Sequence, residues 1–362
     1  MGNIAIQDAQ KLYTNKLVAL LSDRVEAPMT LQSLFTPTQS WTKNITTQTE
    51  RVAELIAKDT IRGTSGNSNI FGQSTEKLFT PPYYDEYFDV TQLDGYDQLY
   101  ADPSSLISDI VFGRFLQESA QKLMQLQDKI TRAYELQCAS VLKTGVVTLT
   151  DGSQIDFRRK SASIVDLGNG NYWTNGANNT STADPNTVLT AAATFLRTVG
   201  KSAAGKFNVL MGSQVYAAYI SNPAVLKRGA IFNWALDRLT PALKQASGFV
   251  DHGPVSSGSW NFDLISYPGF YDTVSGGVVT NGNEYLDPKS IYIVPADQLK
   301  NVLAFAAVPQ LLSTGASIPV ASKFVFTNYP DLELMTHKFH VKSAGVAIPV
   351  AVDQIYTAKV IA

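Results

Sequence analysis

The chain is poor in the residues that most often carry chemistry: one cysteine, three histidines and 17% charged residues in a length of 362. A lone cysteine, Cys138, cannot close an intramolecular disulfide, and it falls on the apolar side of a helical pattern, where a small buried hydrophobe is its ordinary role. His252 has no neighbouring ligand cluster. His337 and His340 are three apart in an alternating stretch, so a strand would point them to opposite faces and away from a shared metal. With a net charge of −2, no strongly basic surface is expected for nucleic acid or lipid headgroups. No run approaches 18 apolar residues, and Met-Gly-Asn-Ile-Ala-Ile-Gln-Asp lacks the basic and apolar regions of a signal peptide. Cytoplasmic synthesis without a membrane span is therefore expected, which leaves the sequons at Asn44, Asn178 and Asn179 without meaning.

Catalytic patterns are equally sparse. Gly200-Lys201-Ser202 resembles the end of a phosphate loop, but Phe195 stands where the first glycine should be and the segment follows a helix instead of a strand. Lys143-Thr144-Gly145 lacks its partner motifs, and there is no Gly-x-Ser-x-Gly. The carboxylates Asp85, Glu86 and Asp89 suit a solvated face or a pair between subunits. No catalytic residue, metal site or cofactor is expected, and the chain reads as something other than an enzyme.

What the sequence does have is one dominant helical stretch, Asp102 to Lys143. Asp102 is placed to cap it, Pro103 suits the first turn, and Gly145 lies just beyond its end. Phe112, Leu116, Ala120, Leu123, Leu126, Ile130, Ala133, Tyr134, Cys138 and Val141 recur at three- and four-residue steps, with Phe112, Leu116, Leu123, Ile130, Tyr134 and Cys138 as the core face, while Lys122, Lys129 and Arg132 fall opposite. A helix of that length would run about 60 Å, longer than a small domain is wide. The stripe is too broad for a coiled-coil seam, so an elongated layer must lie along it.

Before the helix come an amphipathic arm and then two β-prone stretches, 41–62 and 78–90. Between them lies the glycine-rich, polar stretch from Arg62 to Thr75. The pattern predicts a long two-stranded ribbon, which is marginal alone and has edge character at Pro81-Pro82, so another chain should cover it. After the helix, Asp151-Gly152 signals a hairpin between 146–150 and 154–157. Asp184-Pro185 opens a helix to about 199, a buried strand follows at 207–211 and a helix at 213–220. Strands are expected near 262–266, 290–294, 303–307 and 356–361, with alternation over 334–341.

In this order the pieces resemble the Hong Kong 97 phage capsid fold, and more narrowly the major capsid protein E family of phage lambda. The resemblance rests on Phe79-Thr80-Pro81-Pro82-Tyr83, Ala101-Asp102-Pro103, Ala139-Ser140-Val141-Leu142-Lys143 with Gly145, and Trp173 ahead of Asp184-Pro185. It is recognisable over roughly residues 40–220 and carried by element order beyond. It implies an α+β fold with an N-terminal arm (1–41) and an extended β-ribbon loop (42–95). A peripheral domain (96–160 and 331–362) would hold the spine helix 103–143, and 161–330 would form an axial α/β domain.

The implied function is that of a major capsid protein, self-assembling through hexamers and pentamers into an icosahedral head shell around double-stranded DNA. Arg62, Gly63, Gly66, Phe71, Gly72, Phe79, Pro81, Pro82 and Tyr83 would form the loop's interface with neighbouring copies. Implied partners are the chain itself, a scaffolding protein, a portal protein, a decoration protein and DNA bound without sequence specificity, in a virion assembled in the host bacterial cytoplasm. No Lys–Asn crosslinking constellation is evident. No charged helical run precedes the spine helix, so the scaffold is expected as a separate protein. The alternatives are an encapsulin-like nanocompartment shell and a cytosolic enzyme with an unrecognised site.

Overall fold

The computed structural model describes residues 31–50, 74–91, 108–149, 152–174, 183–231, 242–243, 248–275, 278–296, 301–311, 317–331 and 336–362. A 3-10 turn at Leu31–Leu34 leads into β1 (Thr36–Gln39), β2 (Ile45–Glu50), β3 (Ser74–Phe79) and β4 (Tyr83–Thr91). The long helix α1 (Ser108–Thr144) is followed by β5 (Val146–Thr148), β6 (Gln154–Asp156) and β7 (Ile164–Asp166). Next come α2 (Pro185–Thr198), β8 (Lys206–Met211), α3 (Val215–Ile220) and α4 (Pro223–Ile231). The remainder is strand: β9 (Ala242–Leu243), β10 (Val250–Ser257), β11 (Trp260–Ser266), β12 (Phe270–Ser275), β13 (Val278–Glu284), β14 (Ser290–Pro295) and β15 (Asn301–Phe305). It closes with β16 (Ala307–Leu311), β17 (Ser317–Ala321), β18 (Val325–Asp331), β19 (Thr336–Pro349) and β20 (Tyr356–Lys359).

Two sheets organise these elements. A five-stranded sheet runs β1-β15-β19-β18, with β4 on the free side of β19. The seven-stranded sheet runs β7-β20-β14-β8-β11-β10-β9. The chain crosses between them: β15 and β18 join the sheet along α1, whereas β20 joins the other. One core lies between α1 and the five-stranded sheet; the other lies between α2 and the seven-stranded sheet. Alternation in β8 and β14 links them, because Val209, Met211, Ile291 and Ile293 face the second core while Leu210, Tyr292 and Val294 face the first.

Local chemistry explains the element ends. The 37 residues of α1 correspond to about 55 Å. Its capping signals at Asp102 and Pro103 lie outside the described residues, but its end is as expected. Gly145 takes φ +74° and donates its N–H to the Val141 carbonyl at 2.9 Å, a left-handed stop that favours glycine. The hairpin forms from β5 and β6 with Gly152 at φ +81°. Asp184 caps α2 by accepting from the Asn186 N–H at 3.0 Å. The expected strand at 303–307 ends at Phe305, and a separate strand starts at Ala307.

The helix departs from expectation in one respect. The pattern predicts core on one face only; an exposed stripe does remain at Arg132, Leu136 and Lys143, but from Ile130 onward the buried face widens to take in Thr131, Glu135 and Gln137 beside Tyr134, Cys138, Val141 and Leu142. The cause is that a second layer, the turn at Leu31–Leu34 and Tyr267, packs on the side away from the sheet. On the sheet side, Tyr134 meets Tyr84 and Phe305 edge-on at 5.4 and 5.5 Å. Gly345 permits this approach, since a Cβ there would sit 2.8 Å from the Phe305 ring and 2.9 Å from that of Tyr134.

Towards the middle of α1 the contrast between faces is sharper. Leu123 is fully buried, whereas Lys122 is exposed with its ammonium 5.7 Å from the Phe88 ring centre. Leu123→Ala should cost about 2–5 kcal/mol, because the cavity adds to the lost transfer energy. Lys122→Ala should stay within about 1 kcal/mol. Urea denaturation of the two variants measures both; equal losses would show that the wrong face had been assigned to the core.

Candidate assembly surface

The ribbon begins where β2 and β3 pair antiparallel, Ile45 opposite Phe79 and Glu50 opposite Ser74. The reading of 78–90 as one returning strand needs correction. The chain returns as two strands, β3 in the ribbon and β4 in the five-stranded sheet, because Pro81 and Pro82 have no N–H to continue a ladder. Pro81 is buried and Pro82 half-buried at this corner, and Phe79 packs against Phe157 with ring centres 5.3 Å apart. Tyr83, just past the prolines, is half exposed. Arg62, Gly63, Gly66, Phe71 and Gly72, the expected tip of the loop, lie outside the described residues.

Beyond the corner β4 presents two different faces. Tyr84, Glu86 and Phe88 turn to α1: the Tyr84 hydroxyl accepts from Gln137 Nε2 at 2.7 Å, and Glu86 pairs with Lys129 at 2.7 Å. Tyr83, Asp85, Tyr87 and Asp89 are exposed on the other face. There Asp85 meets His340 at 2.7 Å and Lys342 at 3.8 Å, both on β19, and Tyr87 stacks on the His340 ring. The carboxylates read from sequence as a solvated or intersubunit group thus divide between the two faces, and Asp85 bonds within its own chain. Such half-exposed pairs add little stability, so register here is set mainly by the stacked Phe88 and Phe339 and by the ladder.

Of the residues expected in the helix core, Leu123, Ile130, Tyr134 and Cys138 are buried, with the thiol pushed well up by burial. Phe112 and Leu116 sit in the first turns of α1, where side chains are outside the described set. Two polar groups that sequence reasoning missed organise the surroundings. Glu135, fully buried, accepts from Leu31 N–H at 2.7 Å, Gln32 N–H at 3.2 Å and the Tyr267 hydroxyl at 2.8 Å. Burial lifts its carboxyl above the usual range, and these three donors only partly oppose that. Arg159 donates to the carbonyls of Leu142, Ser163 and Ile355 and to the hydroxyls of Ser163 and Thr357, all within 3.0 Å.

Among the described residues no group of histidine, cysteine and carboxylate side chains could hold a metal, and no helix is long and apolar enough to cross a membrane. What the geometry offers instead, among the described residues, is surface: a two-stranded ribbon, a sheet edge and exposed apolar side chains such as Trp41 and Leu78. The family model for phage major capsid protein E matches residues 72–360. Among solved structures, a candidate capsid protein of a prophage in E. coli CFT073 aligns at 17% identity and a TM-score of 0.62, covering 96% of this chain and 99% of that one. A phage-related protein from Bordetella bronchiseptica RB50 aligns at 11% identity and a TM-score of 0.49, over 95% and 96% of the two chains. At such identities the first likeness establishes the fold alone. No curated protein matches the sequence.

Proposed function

The chain belongs to the phage major capsid protein E family, and from that premise we propose that it builds an icosahedral head shell around double-stranded DNA by covering its ribbon and sheet edge with neighbouring copies. The observation that supports this reading is the β2–β3 ribbon. Among the described residues it pairs with no third strand, and a two-stranded ribbon is marginal in water, so beyond its packed base at Ile45 and Phe79 its order calls for contacts from outside the subunit. The N-terminal arm (1–41) and the extended loop (42–95) would reach over adjacent subunits. α1 with its sheet would form the peripheral layer of hexamers and pentamers, and the seven-stranded sheet the axial one. The work is then done by buried area, which in obligate interfaces commonly exceeds about 2,000 Å². With a net charge of −2, DNA would be held by enclosure and without sequence specificity.

Assembly in the host bacterial cytoplasm would draw on a separate scaffolding protein, with a portal protein at one vertex and a decoration protein outside. Chains that associate through extended surfaces can close in several geometries, so the scaffold's part would be to select one. Expressed alone, the chain should give particles of mixed size, and with its scaffold a single size; electron micrographs and light scattering read this directly. Uniform, native-sized shells from the chain alone would remove the scaffold from the scheme. Nucleic-acid content of native particles separates a head shell from a nanocompartment.

The ribbon supplies a second test. Deleting Gly63 to Gln73, between β2 and β3, should leave a soluble, cooperatively folded subunit that closes no shells, since the described cores are built by α1, α2 and the two large sheets. Normal shells from the deletion would sink the role assigned to the loop.

A further inference from the structure

Trp41 is 71% exposed, an unusual place for an indole, yet it is not on a loose segment. On one side of it the Ser40 N–H donates to the Phe305 carbonyl at 2.7 Å; on the other the Thr42 carbonyl accepts from the Ala307 N–H at 3.1 Å. The Ser40 and Thr42 hydroxyls close the bend with a 2.8 Å hydrogen bond. The backbone carrying Trp41 is therefore fixed to the β15–β16 junction, and little ordering entropy remains to be lost when the side chain is buried. A pinned, exposed tryptophan is the kind of residue that anchors an interface.

A groove of about 440 Å³ opens between the base of the ribbon and the β5–β6 hairpin, lined by Leu78, Phe79, Leu149, Ile155, Asp156 and Arg158 among others. Trp41 does not line it. Its lining is mixed: Leu78, Phe79, Leu149 and Ile155 offer apolar contact to the faces of an indole, the Asp156 carboxylate can accept from its Nε1–H, and the Arg158 guanidinium can lie over the ring. Arg158 is also held at φ +55°, with its N–H on Asp156 Oδ1 at 2.7 Å, a left-handed backbone that a non-glycine residue adopts only under constraint.

We propose that the indole of Trp41 of one copy seats in this groove of a neighbouring copy. The occupant is a second copy because the groove's donors and acceptors match a group this chain already displays, preorganised, on its own surface. Both patches sit at the foot of the ribbon, where the Thr80 hydroxyl bonds Asn44 Oδ1 at 3.2 Å; in a ring of subunits the contact is heterologous, anchor on one subunit and groove on the next, repeated until the ring closes. This rests on the reading of the chain as a shell subunit and names a contact within it.

The test mixes two variants before assembly, Trp41→Cys as the minority component and Ser153→Cys, whose side chain lines the same groove. The shells are then treated with a short bis-maleimide crosslinker; the native Cys138 is fully buried and should not react. A covalent dimer is expected from the mixture and from neither variant alone. Trp41→Phe shells supply an independent readout: the blue shift of tryptophan emission on assembly should shrink relative to wild type. Shells that contain both variants yet give no dimer, or an unchanged emission shift in Trp41→Phe, would overturn the contact while leaving the shell function standing. Wild-type protein that forms no shells under any condition would overturn the shell function and this contact with it.

Discussion

Replacing Arg159 with alanine should destabilise the subunit by about 3–5 kcal/mol, among the largest losses available to a single polar side chain here. Its guanidinium joins three pieces of chain distant in sequence. It reaches Leu142 O in the last turn of α1 at 2.8 Å, Ser163 before β7, and Ile355 O and Thr357 Oγ1 at the start of β20 at 2.9 and 2.8 Å. Carbonyls in a helix's last turn lack intrahelical partners, and a cation there also meets the negative end of the helix dipole. Burial pulls the guanidinium down to about 10, so it remains charged at neutral pH and its five donors stay in place. Truncation would leave the Leu142 carbonyl with only Thr357 Oγ1, at 3.0 Å, and would orphan Ile355 O. Arg159→Lys keeps the charge but loses the planar fork, so it should fall between wild type and alanine. Urea denaturation gives the ranking, and Arg159→Lys behaving as wild type would show that charge alone suffices. The same residue explains Gly145, because a Cβ there would lie 2.9 Å from that of Arg159.

Local signals carried well from sequence to structure, and long-range ones did not. The end of α1 at Gly145, the β5–β6 hairpin at Gly152 and the cap of α2 at Asp184 each depend on one residue's own backbone or side-chain preference, which is visible in the chain itself. The match to the capsid family extends to residue 360, past the roughly 220 to which individual motifs were recognisable, since beyond that point element order carries the resemblance. The ribbon was misdivided because aromatic residues stand on both sides of Pro81-Pro82, Phe79 before and Tyr83, Tyr84, Tyr87 and Phe88 after, while the hydrogen-bond ladder cannot pass the prolines. The β12–β13 hairpin went unread because its described side chains are largely exposed, which leaves no hydrophobic face to produce a period of two; β16–β17 was hidden differently, by strands of five residues interrupted at Pro309 and Pro319, too short to show the alternation that puts Val308 in the core. Arg159 and Glu135 were hidden for a different reason. Their partners lie up to 198 and 132 residues away, and a charged residue in a half-apolar segment looks solvated until those partners are in place.

Glu135 provides the second large effect, and its sign needs two opposing terms to be weighed. A buried carboxylate costs desolvation, so alanine relieves something. Against that, alanine leaves the N–H groups of Leu31 and Gln32 and the hydroxyl of Tyr267 without their acceptor in a closed site. An orphaned buried donor costs about 1–3 kcal/mol, and the buried Leu31 N–H together with the weakened setting of the part-buried Gln32 N–H and the Tyr267 hydroxyl outweighs the relief, so Glu135→Ala should lose about 2–4 kcal/mol. The loss should be local before it is global: amide exchange at Leu31 and Gln32 should accelerate well before exchange in β19, because the turn at Leu31–Leu34 is held to α1 through this carboxylate. The pH dependence follows from the raised carboxyl. A group whose folded-state value lies above its unfolded one contributes most below the unfolded value and loses that contribution as pH rises through the folded one. Glu135→Gln cannot titrate, so the stability of wild type relative to Glu135→Gln should improve as pH falls from neutral towards the ordinary glutamate range. A difference that instead narrowed towards acid would mean that the ionised form is what the Leu31, Gln32 and Tyr267 donors favour over burial, and that the carboxyl is held below its ordinary value.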